Sequence, residues 1–507
     1  MTDFLEKIKR HAKEQPDAVF YEYDIPGGDT VRLTWGELWS RAESLALWMD
    51  ENLKTKTPVV IYGHKDPIMI VSFIGSLLSG RGYCPVDISV PGDRVKGIIE
   101  NLSPELILCA GEEYGSDKSL SYEKILEITA ADNGNISTEK AIYGSDVCYI
   151  IYTSGSTGTP KGVQITGDCL DNFIHWGMTL GSGTGESERP VFLNQAPFSF
   201  DLSVMDLYLS LYSGGKLHVL SKKIQGDMKM LMESLKKSGA NIWVSTPSFA
   251  EVCLSDESFS KELLPEMKRF LFCGETLPVS VVRKLHDRFP GAEVVNTYGP
   301  TESTVAVTDI LCTSEVCDTY DPLPVGKIKP GSRLLIRGEQ GENLPDGESG
   351  EIIILGDSVS IGYRNLPEQT AKAFFEEDGI RGYRTGDKGY LKDGYLFYQG
   401  RIDLQIKLHG YRIELEDVEN NLMKLDGVER AAVIPIEKEG KIVSLTAFII
   451  PDEMPESSFK AGQALRAEAK SFLPEYMIPK KFVFLEELPM TNNGKADRRA
   501  LLAYLKK

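Results

Sequence analysis

Residues 152–162 read YTSGSTGTPKG, three glycines and five Ser/Thr hydroxyls around one lysine, Lys161. Gly155 and Gly158 let the backbone turn so that successive N–H groups point at one anion. The hydroxyls of Thr153, Ser154, Ser156 and Thr157 add donors, and Lys161 adds charge. Such a loop suits a polyphosphate, although the same composition also suits a surface linker. It is not a Walker A loop, which needs glycine before the lysine and Ser or Thr after it. Here Pro160 precedes Lys161 and Gly162 follows.

Other stretches carry chemistry too. Asp201 lies among apolar residues in Phe198-Ser199-Phe200-Asp201, and a carboxylate there is costly unless it is paired. It caps the helical pattern LSVMDLYLSL that follows, meets a cation, or does both in part. The string NTYGPTE, residues 296–302, begins where an apolar run ends, which predicts a strand C-terminus, where open α/β sheets bind ligands. Asp387 sits in the turn YRTGD, where a carboxylate can accept hydrogen bonds from two sugar hydroxyls. Lys495, in TNNGKAD, reads in isolation as a solvated lysine.

The elements that must hold these residues follow from hydrophobic pattern. Residues 59–62, 106–109, 147–152, 242–245 and 269–272 read as strands, several followed by helices such as 66–79. This alternation predicts an α/β fold of doubly wound parallel sheets. Within a domain spanning 1–400, residues 322–400 change to short strands separated by turns, an antiparallel, barrel-like subdomain. A small, mobile α+β domain is expected over 401–507, with its hinge in the Gly- and charge-rich stretch near Asp403. Its elements are a helix over 414–425, strands over 431–435 and 443–450 around a turn at 438–440, a helix over 461–472 and a strand over 481–484.

Length and composition narrow the function classes. The 507 residues carry a net charge of −18 and no dense Lys/Arg block, which argues against nucleic-acid binding. The longest apolar run, 68–78, is too short to cross a bilayer, and the N-terminus reads as an amphipathic helix rather than a leader. A cytoplasmic monomer without membrane insertion is expected. Eight cysteines without a C-x-x-C pair predict reduced, mostly buried thiols, and the six histidines lack metal-ligand spacing.

Taken together, these strings resemble the adenylate-forming superfamily of acyl-CoA synthetases, luciferases and nonribosomal peptide adenylation domains. GYCPVD at 82–87 with Pro91, NTYGPTE, GEIIIL at 350–355, YRTGD, residues 400–414 and Asn493-Gly494-Lys495 occur in that family's order and cover essentially the whole chain. The resemblance implies ATP, with Mg²⁺ held through phosphates by Glu302. It implies a nucleotide site of Thr153, Ser154, Gly155, Ser156, Thr157, Gly158, Lys161, Asn296, Thr297, Tyr298, Gly299, Pro300, Thr301, Asp387, Tyr398, Gln399, Gly400 and Arg401. Tyr298 would stack on adenine, Thr301 would contact the α-phosphate, and Asp387 would hold the ribose. Lys495 would bridge the substrate carboxylate and the ATP oxygens, lowering by electrostatics the cost of bringing two anions together. No general base is needed, because the attacking carboxylate is already ionised. Lys407 and Gly410 would belong to a second face, used for thioester formation.

The substrate class rests on Asp201, which in amino-acid-activating members binds the ammonium group. Residues 194–208, 246–254, 271–281 and 296–308 resemble the D-alanine–D-alanyl carrier protein ligases within that superfamily. The likeness implies D-alanine as substrate, a pocket of Asp201, Cys273 and Val305, and transfer to a separate phosphopantetheinylated carrier protein for teichoic acid modification. No carrier module follows Lys495 before residue 507, which is in keeping with a separate acceptor. Another small amino acid as substrate, a short-chain acyl-CoA synthetase and an inactive nucleotide-binding protein are the competing readings.

Overall fold

The computed structural model describes residues 1–25, 29–130, 138–153, 160–184, 189–402, 405–438, 441–489 and 496–505. Apolar β-rich runs become buried parallel strands, as the alternation predicts. A nine-stranded sheet runs Lys327–Ile328, Thr308–Leu311, Glu293–Tyr298, Arg269–Phe272, Ile242–Ser245, Val191–Asn194, Lys216–Val219, Val19–Asp24, Thr30–Thr34. Its six central strands are parallel, and antiparallel strands flank them. A six-stranded sheet runs Ser119–Leu120, Ile107–Ala110, Val59–Gly63, Tyr83–Asp87, Val147–Thr153, Lys161–Thr166.

Helices fill the faces because their sequences leave them no soluble side. Every residue of Pro67–Leu78 is buried. That helix starts cleanly, with Pro67 in its first turn and the Asp66 side chain accepting from the Ile68 N–H at 2.9 Å. The helix Leu202–Ser213 is almost as fully buried. One continuous core joins these helices to the strands around them, from Phe4 and Trp35 to Cys273, Val305 and Tyr363. Among the described residues no helix is long and apolar enough to cross a membrane.

The predicted change of character after residue 322 appears as a five-stranded antiparallel sheet. The long strand Ile380–Lys392 pairs with Gly350–Gly356, Phe374–Glu377 and Tyr395–Arg401, and Ser332–Arg337 lies beyond Gly350–Gly356.

The chain divides into two compact units. Met1–Ile88, Leu102–Ile151 and Gly162–Gly400 form the first; Ser89–Asn101, Tyr152–Lys161 and Arg401–Lys507 form the second. The second therefore contains two short segments from early in the chain. Within it, Arg94 pairs at 3.0 Å with the fully buried Asp417, and the Tyr152 hydroxyl donates to Asn101 at 2.7 Å. Its core packs Leu415–Leu422 and Ser458–Ala469 against the antiparallel strands Val428–Lys438 and Lys441–Pro451. Lys481–Phe484 adds a parallel third strand. The predicted turn at 438–440 lies partly outside the described residues.

All eight cysteines are free and buried, in line with the sequence expectation. Among the described residues no group of three or more His, Cys, Asp or Glu is placed to hold a metal ion.

Candidate functional site

Sheet register brings the predicted residues of the first unit together. Asn194 lies opposite Val244, Ser245 opposite Phe272, and Phe272 opposite Asn296. The carboxyl ends of four parallel strands thus line up, and the chain beyond them supplies Asp201, Thr246, Cys273 and the 298–307 turn. This is the edge of an open α/β sheet at which ligands bind.

The 298–307 turn is tightly constrained. The Val307 N–H donates to the Tyr298 carbonyl at 2.8 Å. A side chain at Gly299 would meet the Ala306 Cα at 2.5 Å, so only glycine fits there. Pro300 leads into a short 3-10 turn, Thr301–Ser303. Thr304 and Val305 then adopt left-handed φ values of 61° and 67°. That conformation costs about 1–3 kcal/mol for a non-glycine residue, and a β-branched valine there is a genuine outlier. Two contacts hold it: the Thr304 hydroxyl donates to the Ser358 carbonyl at 2.8 Å, and the Cys273 thiol donates to the Val305 carbonyl at 3.7 Å. Cys273 and Val305, predicted to share a pocket, are both buried and joined by this bond.

Asp201 occupies the N-cap position of the Leu202–Ser213 helix without making a side-chain capping bond. Its Oδ2 instead accepts from the Thr301 hydroxyl at 2.6 Å. The capping reading of Asp201 fails on this geometry. The carboxylate lies beside the positive end of a helix and close in the chain of contacts to Val305 and Cys273.

Asp387 is held the same way from the other side of the turn. It is 2% exposed and accepts from the Tyr298 hydroxyl at 2.6 Å. Burial, and then the Asp387 charge, push the Tyr298 phenol well above its usual range. The Asp387 N–H donates to Thr385 at 2.9 Å, and Gly386 takes a left-handed φ of 66°. The Tyr398 ring lies 5.9 Å from the Tyr298 ring. Gln399 accepts from the Ser349 hydroxyl, and Gly400 has a φ of 101°.

Glu302 is fully buried, and its Oε1 accepts from the Tyr363 hydroxyl at 2.8 Å. Tyr363 was not anticipated from the sequence, because nothing in its spacing points to a partner so far up the chain. Asn296 donates to the Pro324 carbonyl at 3.0 Å and Thr297 to the Phe272 carbonyl at 2.8 Å. Their side chains tie the strand end to the scaffold.

The second unit holds other residues of the predicted set. Its Thr153 ends a strand with its hydroxyl oxygen buried, and Lys161 Nζ lies 3.8 Å from Glu414 Oε1. Arg401 ends the Tyr395–Arg401 strand. Ser154, Gly155, Ser156, Thr157, Gly158, Asp403 and Lys495 lie outside the described residues.

Comparison with known proteins shows the family. Residues 8–364 match the AMP-binding enzyme family, and residues 417–495 match the AMP-binding enzyme C-terminal domain. The chain belongs to the AMP-binding enzyme family. Within it, the chain is similar to proteins named D-alanine–D-alanyl carrier protein ligase. It is 48% identical over 506 residues to that of Bacillus thuringiensis strain Al Hakam, covering 98% of this chain and 99% of the relative. The ligase of Bacillus cytotoxicus is equally similar. Among solved structures, PA1221, a nonribosomal-peptide-synthetase protein with adenylation and PCP domains, superposes with a TM-score of 0.81 at 25% identity. That match covers 99% of this chain and 84% of PA1221. The Vibrio cholerae adenylation domain AlmE, solved with glycyl-adenosine-5'-phosphate, has the same fold, with a TM-score of 0.82 at 22% identity and coverage of 100% and 98%.

Proposed function

We propose that this enzyme activates D-alanine with ATP as D-alanyl-AMP and transfers the acyl group to the phosphopantetheine thiol of a separate carrier protein, for D-alanylation of teichoic acids. One observation carries the substrate class: Asp201 leaves its helix uncapped and turns its carboxylate to Thr301, beside the strained turn that carries Val305. A carboxylate placed so is matched to an ammonium group, and Cys273 and Val305, buried and joined by their contact, would face the substrate's side chain. The 48% identity to D-alanine–D-alanyl carrier protein ligases across the whole chain supports the same substrate and acceptor.

In the first step a carboxylate oxygen of D-alanine attacks the α-phosphorus and pyrophosphate leaves. Asp201 binds the ammonium, Tyr298 stacks on adenine, and Asp387 takes the ribose hydroxyls in place of the Tyr298 hydroxyl. Thr301, which donates to Asp201, would contact the α-phosphate. The residues fit a magnesium ion held mainly by the nucleotide, since Mg²⁺ commonly uses one or two carboxylates plus phosphates, and Glu302 offers one buried carboxylate. That ion would neutralise phosphate charge. Lys495 supplies the cation between the two reacting anions. In the second step the pantetheine sulfur attacks the acyl carbon as its thiolate and AMP leaves. A hinge at Asp403 would exchange Lys495 for the Lys407 and Gly410 face between the steps.

Amino-acid-dependent pyrophosphate exchange, run with D-alanine, L-alanine and glycine, tests the reading. D-alanine is expected to give the highest kcat/KM. Equal values for L-alanine would sink the assignment of chirality, and no exchange with any amino acid would sink the substrate class.

A further inference from the structure

Beneath Asp201 lies a buried pair that the reaction does not use. Asn194 ends its strand, and Asp206 lies one turn into the helix that Asp201 begins. Both are fully buried. Asn194 Nδ2 donates to Asp206 Oδ1 at 2.8 Å. Among the described residues, the second oxygen of each group, Asn194 Oδ1 and Asp206 Oδ2, has no hydrogen-bond partner. Two acceptors of one bonded pair left unsatisfied in a dry interior would be a heavy penalty. A single proton removes both. If Asp206 carries it on Oδ2, that O–H donates to Asn194 Oδ1, and acid and amide close an eight-membered ring with two hydrogen bonds.

We infer that Asp206 is a neutral carboxylic acid at neutral pH, closed in a ring with the Asn194 amide, and that this ring is the positioning device that sets Asp201 for the substrate's ammonium group. The second half rests on the function proposed above. The ring clamps the two ends of residues 194–206, the segment that carries Asp201. A second clamp grips the same segment: the Gln195 carbonyl accepts from Lys65 Nζ at 2.7 Å and from Gln225 Nε2 at 2.9 Å.

The surroundings support a protonated acid. Burial pushes Asp206 well above the usual carboxylate range, and the Asn194 hydrogen bond, the Lys65 charge and the Leu207 backbone N–H offset only part of that. Lys65 is itself fully buried, is pushed down to about 7 by burial, and donates its ammonium to the Gln195 and Leu220 carbonyls rather than to a carboxylate. Asp87 acts on Lys65, and the buried Tyr21 phenol feels Asp206; both are carried on strands. The neutral acid therefore satisfies its oxygens without an ion partner.

The test uses the whole chain as wild type, Asp206→Asn and Asp206→Leu. Infrared difference spectra of protein labelled with ¹³C-aspartate, wild type minus Asp206→Asn at pH 7, should contain the C=O band of a protonated carboxyl. Asparagine can rebuild the ring with two N–H···O bonds, so Asp206→Asn should keep both KM values within about threefold of wild type. Leucine cannot, and Asp206→Leu should raise the D-alanine KM about tenfold while the ATP KM stays within threefold. A carboxylate band in place of the acid band would overturn the inference. So would an Asp206→Asn defect as large as that of leucine, or an equal rise in both KM values. If Asp206→Leu does not fold, the spectrum and Asp206→Asn still decide. Absence of amino-acid-dependent exchange in the wild type would overturn the function and the positioning role together, whereas the infrared band tests the protonated ring independently.

Discussion

Asp201 and Asp387 each accept a hydroxyl hydrogen bond of 2.6 Å from one turn, the first from Thr301 and the second from Tyr298. Their surroundings differ. Asp201 stands at the start of a buried helix, part-exposed, with the helix's positive end behind it. Asp387 is buried in an antiparallel sheet, between a left-handed glycine and the Thr385 hydroxyl. The difference matches the proposed ligands. A carboxylate that meets a cation is best kept charged and reachable, and a helix N-terminus does both. A carboxylate that meets two neutral hydroxyls can be buried, because a resident hydroxyl satisfies it until the ribose arrives. One turn, strained at Thr304 and Val305, holds both in readiness.

The comparison can be broken at either end. The largest effect is expected at Asp201: Asp201→Asn should lower kcat/KM for D-alanine by about a hundredfold or more, since an ammonium left without its charge partner is costly to bury. ATP affinity should stay unchanged. Retention of more than a third of the wild-type value would remove Asp201 from the amino-acid site. Next comes Asp387→Asn, which should raise the ATP KM about tenfold and leave the D-alanine KM alone. Equal changes in both constants would dissolve the division of labour between the two carboxylates. The smallest effect belongs to Tyr298→Phe. The ring remains for adenine, so the ATP KM should change by less than about threefold. Asp387 loses its resident donor, so without nucleotide the thermal midpoint should fall by about 2–4 °C, and ATP should restore most of it. A nucleotide-free midpoint equal to wild type would show that the Tyr298 hydroxyl does not hold Asp387 in place.

Much of the scaffold was legible in the sequence. The strands at 242–245 and 269–272 coincide with Ile242–Ser245 and Arg269–Phe272, because continuous β-rich apolar runs bounded by polar residues leave little choice. The 66–79 helix follows from its cap, its proline and its unbroken apolar run. Strand ends were less sharp: 431–435 became Val428–Lys438, where sheet pairing extended the strand past its apolar centre. The turn residues of NTYGPTE were also readable, because Gly299 and Pro300 mark where the chain must bend.

What the sequence by itself determined is local: residue types, their periods, and the motifs that place a glycine- and hydroxyl-rich loop, an aspartate among apolar residues and a glycine-proline turn along the chain. Only tertiary structure decided their partners. Asp201 could have capped its own helix three residues away, yet it meets Thr301 one hundred residues on. Asp387 meets Tyr298 across eighty-nine. Val305 takes a conformation that its side chain disfavours, and Asp206 finds the Asn194 amide in place of water. Each of these choices follows from sheet register and burial. Both are properties of strands far apart in the chain, so no local pattern encodes them, and both become definite only when the parallel strands align their carboxyl ends.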